Sequence, residues 1–521
     1  MKTPTLTIFA KKNGPLSKHV RLESGVVKSD GSACVMSIGS AERCDIETAN
    51  ELADLIADLK SNEALGLGTL RGDLPDRVTI ATKAALGQVN GEVRPDIIAR
   101  TGSNIIFEPD RPAWALLDHD GKDMPPEVKT RLAASGGFWR ALCGVLPDLA
   151  ETERVSRAST SAGLFSIKNG ERLDYAGSNG RHVYLLVRDG ADIPRFLQAL
   201  HDRCWLAGLG WYVVGAGGQL LDRSMIDRMV GLPERLVFEG PPVLEPPLEQ
   251  DKAARQPVPV SGRELDTFAA CPPLTVAEKA ALAELKAKAK AALASEAAKV
   301  RDSFIADRVS DLVKRTNISE EAARRVIAQQ CEGTLLPGVE LPFDDPALAG
   351  KTVGDVLADP DRFVGETLAD PIEGIDYGRG KAKIMRRADG SVWIHSFAHG
   401  RTTYDLKYDA AAVRAAIEAA AKDDAFKIFT KFFRHAALDA VEQEQLRALV
   451  AKHAGVGAKV VSDALKAERA KAAADAARAE KERELAERTD PRPQLARPRS
   501  DAPWGDVTSI IDEVLMKQRK E

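Results

Sequence analysis

The apolar run at residues 113–117 closes on Asp118-His119-Asp120, which sets two carboxylates two residues apart. A run of this kind reads as a buried strand, expected over 113–118. Alternate side chains of a strand share a face, so Asp118 and Asp120 would project together with Cα atoms roughly 6.6 Å apart. Paired carboxylates suit Mg2+ or Mn2+, and metals held this way can clamp the attacking and leaving oxygens of a phosphoryl or nucleotidyl transfer. The plainer reading is an Asp pair that turns a strand into a polar loop.

A chain of 521 residues has room for about two to four domains. Its formal net charge of -4 offers no general attraction to phosphate, so any nucleic-acid contact must come from local basic patches. Cys34, Cys44, Cys143, Cys204, Cys271 and Cys331 are scattered, without a C-x-x-C pair, which argues against a zinc ribbon and a disulfide frame. The first residues lack the apolar core of a secretion signal, and no run of about 18 apolar residues occurs. A cytoplasmic protein that does not cross a membrane is expected.

Mixed periodicity over 1–245 points to an α+β region. Helices are expected at 47–59, 126–146 and 193–206, and strands at 182–187 and 211–214. A Pro-rich stretch at 246–260 reads as a linker. Thr275-Val276-Ala277-Glu278 has capping-box spacing and opens a long helix to about 295, with more helix to about 314 and another from Ser319 to near Cys331. Strands at 381–387, 391–397 and 402–408 would form a small sheet that interleaves Lys381, Lys383, Arg386, Arg387, Arg401 and Lys407 with Trp393, Phe397 and Tyr404. Cations among stacking rings suit a single strand of nucleic acid, although a charged solvated face over an aromatic core produces the same pattern. Helical periodicity returns at 411–465. A charged tract at 466–503 cannot form a core. The amphipathic segment 504–521 reads either as a docking peptide for a partner or as a helix that packs back on its own chain.

Two motifs are decoys. Gly350-Lys351-Thr352 ends like a phosphate loop, but Asp345 stands where its first Gly belongs, and Gly215-Ala216-Gly217 lacks the third Gly and the helix of a dinucleotide fold. Two further signals join the Asp pair. Gly177-Ser178-Asn179-Gly180-Arg181-His182 is a Gly-punctuated turn that delivers a His to the mouth of an apolar strand, where Arg181 and His182 can donate to phosphate. Ile226-Asp227 ends a short apolar run with Arg235 eight residues on, and Asp222 is a rival for the same acidic role. His395 and His399, four apart on a strand, would lie roughly 13 Å from each other, too far for one ion.

The succession of acidic pair, Ser-x-x-Arg-His turn and hydrophobic-Asp resembles the three motifs of the archaeo-eukaryotic primase superfamily, including the primase-polymerases of plasmids, phages and integrative elements. The similarity covers about residues 100 to 245, and Arg235-Leu236-Val237-Phe238-Glu239-Gly240 and Ile394-His395-Ser396-Phe397 extend it towards residue 410. It implies a primase-type catalytic core, an RRM-like antiparallel sheet with helices, over 1–245. Asp118, Asp120 and Asp227 would then hold Mg2+ or Mn2+, while His182, supported by Ser178, Arg181 and Arg235, would bind the incoming nucleoside triphosphate. The linker at 246–260 would lead to a helical accessory domain at 261–333 and a small module at 334–410, in which Lys383, Arg386, Trp393 and Arg401 would hold a single-stranded DNA template. With no P-loop and no zinc knuckle, unwinding would fall to a separate helicase, met through the C-terminal segment. The other readings are a non-catalytic replication initiator that keeps this fold, and a metal nuclease.

Overall fold

The computed structural model describes residues 3–31, 33–82, 86, 96–121, 123–175, 180–316, 319–387, 389–397, 403–467 and 470. The chain is α+β and divides into two units, Met1–Tyr408 and Asp409–Glu521.

Unit 1 begins with a five-stranded sheet in the order Glu63–Gly66, Thr5–Lys11, Gly39–Asp45, Arg77–Ile80, Ile97–Ile98, antiparallel except for the last pair. The helix Ala49–Asp58 starts where the Thr48 hydroxyl accepts from the Glu51 amide, and it buries Leu52, Ala53 and Ile56. A second, antiparallel sheet runs Ala113–His119, Arg181–Val187, Arg154–Ala158, Val258–Val260. Its first strand, residues 113–117, is buried on both faces, which explains an unbroken apolar run in place of alternation. The helix Ile193–Leu206 spans the expected residues and buries Ile193, Phe196, Leu197, Leu200 and Cys204, an i, i+3, i+4, i+7 stripe. One core joins these elements to Leu6, Trp114, Tyr184, Leu265 and Leu274.

Two expectations change here. The helix anticipated over 126–146 is two helices, Pro126–Ala134 and Phe138–Val145, separated by Gly136 and Gly137 at φ of 81° and 95°. Only glycine adopts that backbone at no steric cost, so the glycine pair ends the first helix. The Pro-rich stretch 246–260 is built into the sheets: Leu248–Gln250 pairs with Leu164–Lys168, and Val258–Val260 with Arg154–Ala158. Pro259 is tolerated because its strand lies at the sheet's edge.

Thr275 and Glu278 cap each other as expected and open one continuous 41-residue helix, Val276–Thr316, followed by Glu320–Cys331. A third sheet follows, in the order Thr334–Leu335, Thr403–Leu406, Val392–Ser396, Ala382–Arg386, Thr367–Leu368, with its own core around Ile384, Ile394, Tyr404 and Leu406. The tip of the hairpin Gly210–Val214/Leu220–Ser224 docks on this part of unit 1: Gln219 hydrogen-bonds Glu373, whose carboxylate also accepts from the Ala216 amide at 3.4 Å. The Gly-rich decoy at 215–217 is thus a docking turn. Unit 2 packs the helices Ala410–Ala419, Ala425–Arg434 and Ala440–Ala454 around Val413, Ile417, Phe429, Leu446 and Val450. The segment 504–521 and most of the tract 466–503 lie outside the described residues. Among the described residues no helix is long and apolar enough to cross a membrane.

Candidate active site

Antiparallel register sets Asp118 opposite His182 and His182 opposite Arg157, one row across three neighbouring strands. His182 Nε2 lies 3.6 Å from Asp118 Oδ1, and the Asp118 side chain keeps 31% exposure. The other ring nitrogen, Nδ1, is 2.5 Å from Oε1 of Glu239, a fully buried carboxylate. Because an ionised carboxylate can only accept, Nδ1 carries the proton, which turns Nε2 towards Asp118. The Tyr184 hydroxyl donates to Glu239 at 2.6 Å, Arg157 Nη1 donates to it at 2.9 Å, and the Arg255 guanidinium stands 3.7 Å away.

This network explains the site's charge state. Burial pushes the Glu239 carboxyl up, but His182, Arg157 and the Tyr184 hydroxyl outweigh it and hold the carboxyl down at about 2. Burial likewise opposes charging His182, yet Glu239 and Asp118 raise its pKa above the ordinary value. Glu239 belongs to a phrase that the resemblance includes, but no role follows from its spacing. The available signal is an acid that directly follows the apolar stretch 236–238, since buried carboxylates require partners.

The third carboxylate arrives through the backbone. The Asp227 amide donates to the Asp118 carbonyl at 2.9 Å, and His119 Nδ1 lies 2.8 Å from the Met225 carbonyl. Residues 225–227 are thereby pinned along the outer edge of the Ala113–His119 strand. The Asp227 side chain accepts from the Met229 amide and starts the short turn Arg228–Gly231, while Arg235 Nη1 donates to the Met229 carbonyl on the same turn. Asp120 falls one residue past the end of the strand and is exposed. Burial raises the Asp118 pKa, opposed by His182, and the nearby charges of Asp227 and Asp120 raise it further.

Other candidates stand apart. Arg181 is exposed and opposite His119, so strand alternation puts it on the face away from Asp118 and His182. Asp222 is held elsewhere, bonded by His201 Nε2 at 3.1 Å, Trp205 Nε1 at 2.8 Å, Lys286 Nζ at 3.0 Å and, at 3.3 Å, by Nη1 of Arg228, the residue after Asp227. It ties the Ile193–Leu206 and Val276–Thr316 helices to the hairpin, and Asp227 is the acid beside Asp118. Ser178, Arg401 and His399 lie outside the described residues.

On the third sheet, Trp393, His395 and Phe397 occupy alternate positions and form a row, with centroids 5.6 Å and 4.8 Å apart in edge-on contacts. Lys383 is paired across from His395. Arg386 turns to Asp361 at 2.6 Å, and Arg387 is the cation that lies over the Trp393 ring, 5.1 Å from its centroid.

Among the described residues no group of three or more His, Cys, Asp or Glu side chains is gathered as a metal cage. The donor chemistry nevertheless fits a hard divalent cation. Mg2+ commonly takes one or two carboxylates and completes its sphere with water and substrate phosphates, and Asp118 carries like-charge strain from Asp227 and Asp120 that a cation would relieve. The chain matches no family model, no curated protein and no solved structure in the comparisons made with each.

Proposed function

We propose that the protein is a primase-polymerase of the archaeo-eukaryotic type, which joins nucleotides on a single-stranded DNA template for the replication of a mobile element. The observation that carries this reading is the meeting of Asp118, His182 and Asp227, three residues from the three motifs, through one strand register and one backbone hydrogen bond. The four-stranded antiparallel sheet that carries two of them, covered by helices, suits the RRM-like core that such enzymes use.

Mg2+ or Mn2+ bound at Asp118, Asp227 and Asp120 would supply the positive charge that offsets the phosphates and activates the attacking 3′-hydroxyl. The residues of the chain do the positioning. His182, anchored by Glu239, presents Nε2 as a donor for a phosphate oxygen when its second nitrogen is protonated, the state that its raised pKa favours. Arg235 is fixed by the turn that Asp227 starts and adds a second donor on that side. No protein nucleophile is needed, because the catalysis is alignment and charge neutralisation. The ring row Trp393–His395–Phe397 with Lys383 and Arg387 offers stacking faces and cations to the template.

The test is incorporation of labelled nucleotides on an unprimed single strand with Mg2+ or Mn2+. Wild-type chain should yield extended products, and Asp118→Ala with Asp120→Ala should abolish them while the protein stays folded. Near-normal synthesis by the double variant would refute the site. A wild type that binds DNA but incorporates nothing would favour the non-catalytic initiator, and shortened strands would favour the nuclease.

A further inference from the structure

The cations around this site come from segments that are far apart in the chain. Lys18 is held by its own carbonyl, which accepts from the Val243 amide at 2.9 Å, and its neighbour Ser17 bonds the carbonyl of Gly240, the residue after Glu239. This brings Lys18 within electrostatic reach of His182. Lys381 immediately precedes the strand Ala382–Arg386 of the third sheet. A turn through Gly378 and Gly380, both at positive φ, sets it there; the Asp344 carboxylate accepts from the Gly380 amide at 2.9 Å, and the Lys381 carbonyl accepts from the Phe397 amide at 2.7 Å. The Lys381 ammonium is partly enclosed: burial lowers its pKa first, Arg235 lowers it further, Asp227 opposes this, and Lys18 and Arg223 add to the cationic crowding. Both Lys18 and Lys381 act electrostatically on the Cys34 thiol. Arg235, Lys18 and Arg223 therefore act on Lys381 together with Asp227, and Lys381 stands beside the sheet that carries the ring row.

We infer that Lys381, with Lys18 and Arg235, forms the wall that receives the phosphate tail of the incoming nucleoside triphosphate, so that the module over 334–408 completes the nucleotide site in addition to holding the strand. Crowded cations repel one another, and a polyanion is the ligand that turns this repulsion into attraction. Lys381 lies at one end of the row Trp393–His395–Phe397, hydrogen-bonded through its carbonyl to Phe397. A template base stacked on the row and a triphosphate held by Lys381 would thus be brought to the same edge of the sheet. This inference rests on the nucleotidyl-transfer reading above.

The experiment is equilibrium binding of a fluorescent nucleoside triphosphate to the full chain without template, so that no turnover occurs, alongside single-strand binding measured separately. Lys381→Ala should weaken nucleotide binding about ten-fold, the scale of one charge-assisted contact, and leave strand binding little changed. Lys381→Arg should restore most of the loss, and Lys18→Ala should reproduce it. Arg386→Ala, whose partner is Asp361, should leave nucleotide binding as in the wild type. Lys381→Ala and Lys18→Ala proteins that both bind nucleotide as the wild type does would overturn this inference and leave the function standing. A loss of strand binding equal to the loss of nucleotide binding would overturn it as well, and a wild type that binds no nucleoside triphosphate would overturn both. Should Lys381→Ala fail to fold, the Lys18→Ala result decides alone.

Discussion

Glu239 holds more of the site together than any residue that the motifs name. It is an anion with no exposure, and His182, Tyr184, Arg157 and Arg255 all face it. Removing one partner of a buried ion pair strands the others, so Glu239→Ala should destabilise unit 1 by about 3–5 kcal/mol. Tyr184→Phe, which deletes a single hydrogen bond, should cost about 1 kcal/mol. Denaturant midpoints of the two variants check this, and equal losses would mean that the charge network contributes little. Asp222 supports a pH prediction. Burial raises its carboxyl, but His201 and Lys286 outweigh burial and hold its pKa well below the usual carboxylate range. A depressed folded-state pKa stabilises the fold above the unfolded value of about 3.9, and this contribution fades as pH falls through the lower folded value. The stability gap between wild type and Asp222→Asn should therefore be widest near neutral pH and close in acid, as thermal melts across that range would reveal.

Elements proved legible where a local signal was complete. The helix Ile193–Leu206, the capping pair Thr275 and Glu278, and the strands Ala113–His119 and Arg181–Val187 carry their own stripes, caps or apolar runs. The helix over 126–146 misleads because Gly136-Gly137 interrupts residues that favour helix on both sides. The stretch 246–260 misleads because prolines signal extended backbone without saying which ladder will accept it. On the third sheet, alternation separates Arg386 from Arg387, and only Arg387 reaches Trp393. Trp393→Ala with Arg387→Ala should weaken single-strand binding about ten-fold or more, on a stacking contribution of about 1–3 kcal/mol per base. A salt-titrated binding assay reads this, and unchanged affinity would remove the row as an interface.

At the scale of the whole molecule, the division falls between Tyr408 and Asp409. Each unit has its own apolar core: Leu6 to Leu274 and Leu335 to Leu406 in unit 1, and Val413 to Val450 in unit 2. A chain cut after Tyr408 should therefore unfold with the midpoint that unit 1 shows in the full chain, and a markedly lowered midpoint would show that the units depend on each other. By itself the sequence determined the α+β class, the longer helices, the strands at the acidic pair and in the third sheet, and the residue types of an acidic and imidazole site, because these follow from periodicity, caps and short motifs within one segment; the first sheet was not legible there. Only the tertiary structure decided that Asp227 and not Asp222 stands beside Asp118, and that Glu239 orients His182. Those choices depend on strand register and on long-range hydrogen bonds, such as that from the Asp227 amide to the Asp118 carbonyl, which join segments whose local sequences contain no trace of each other.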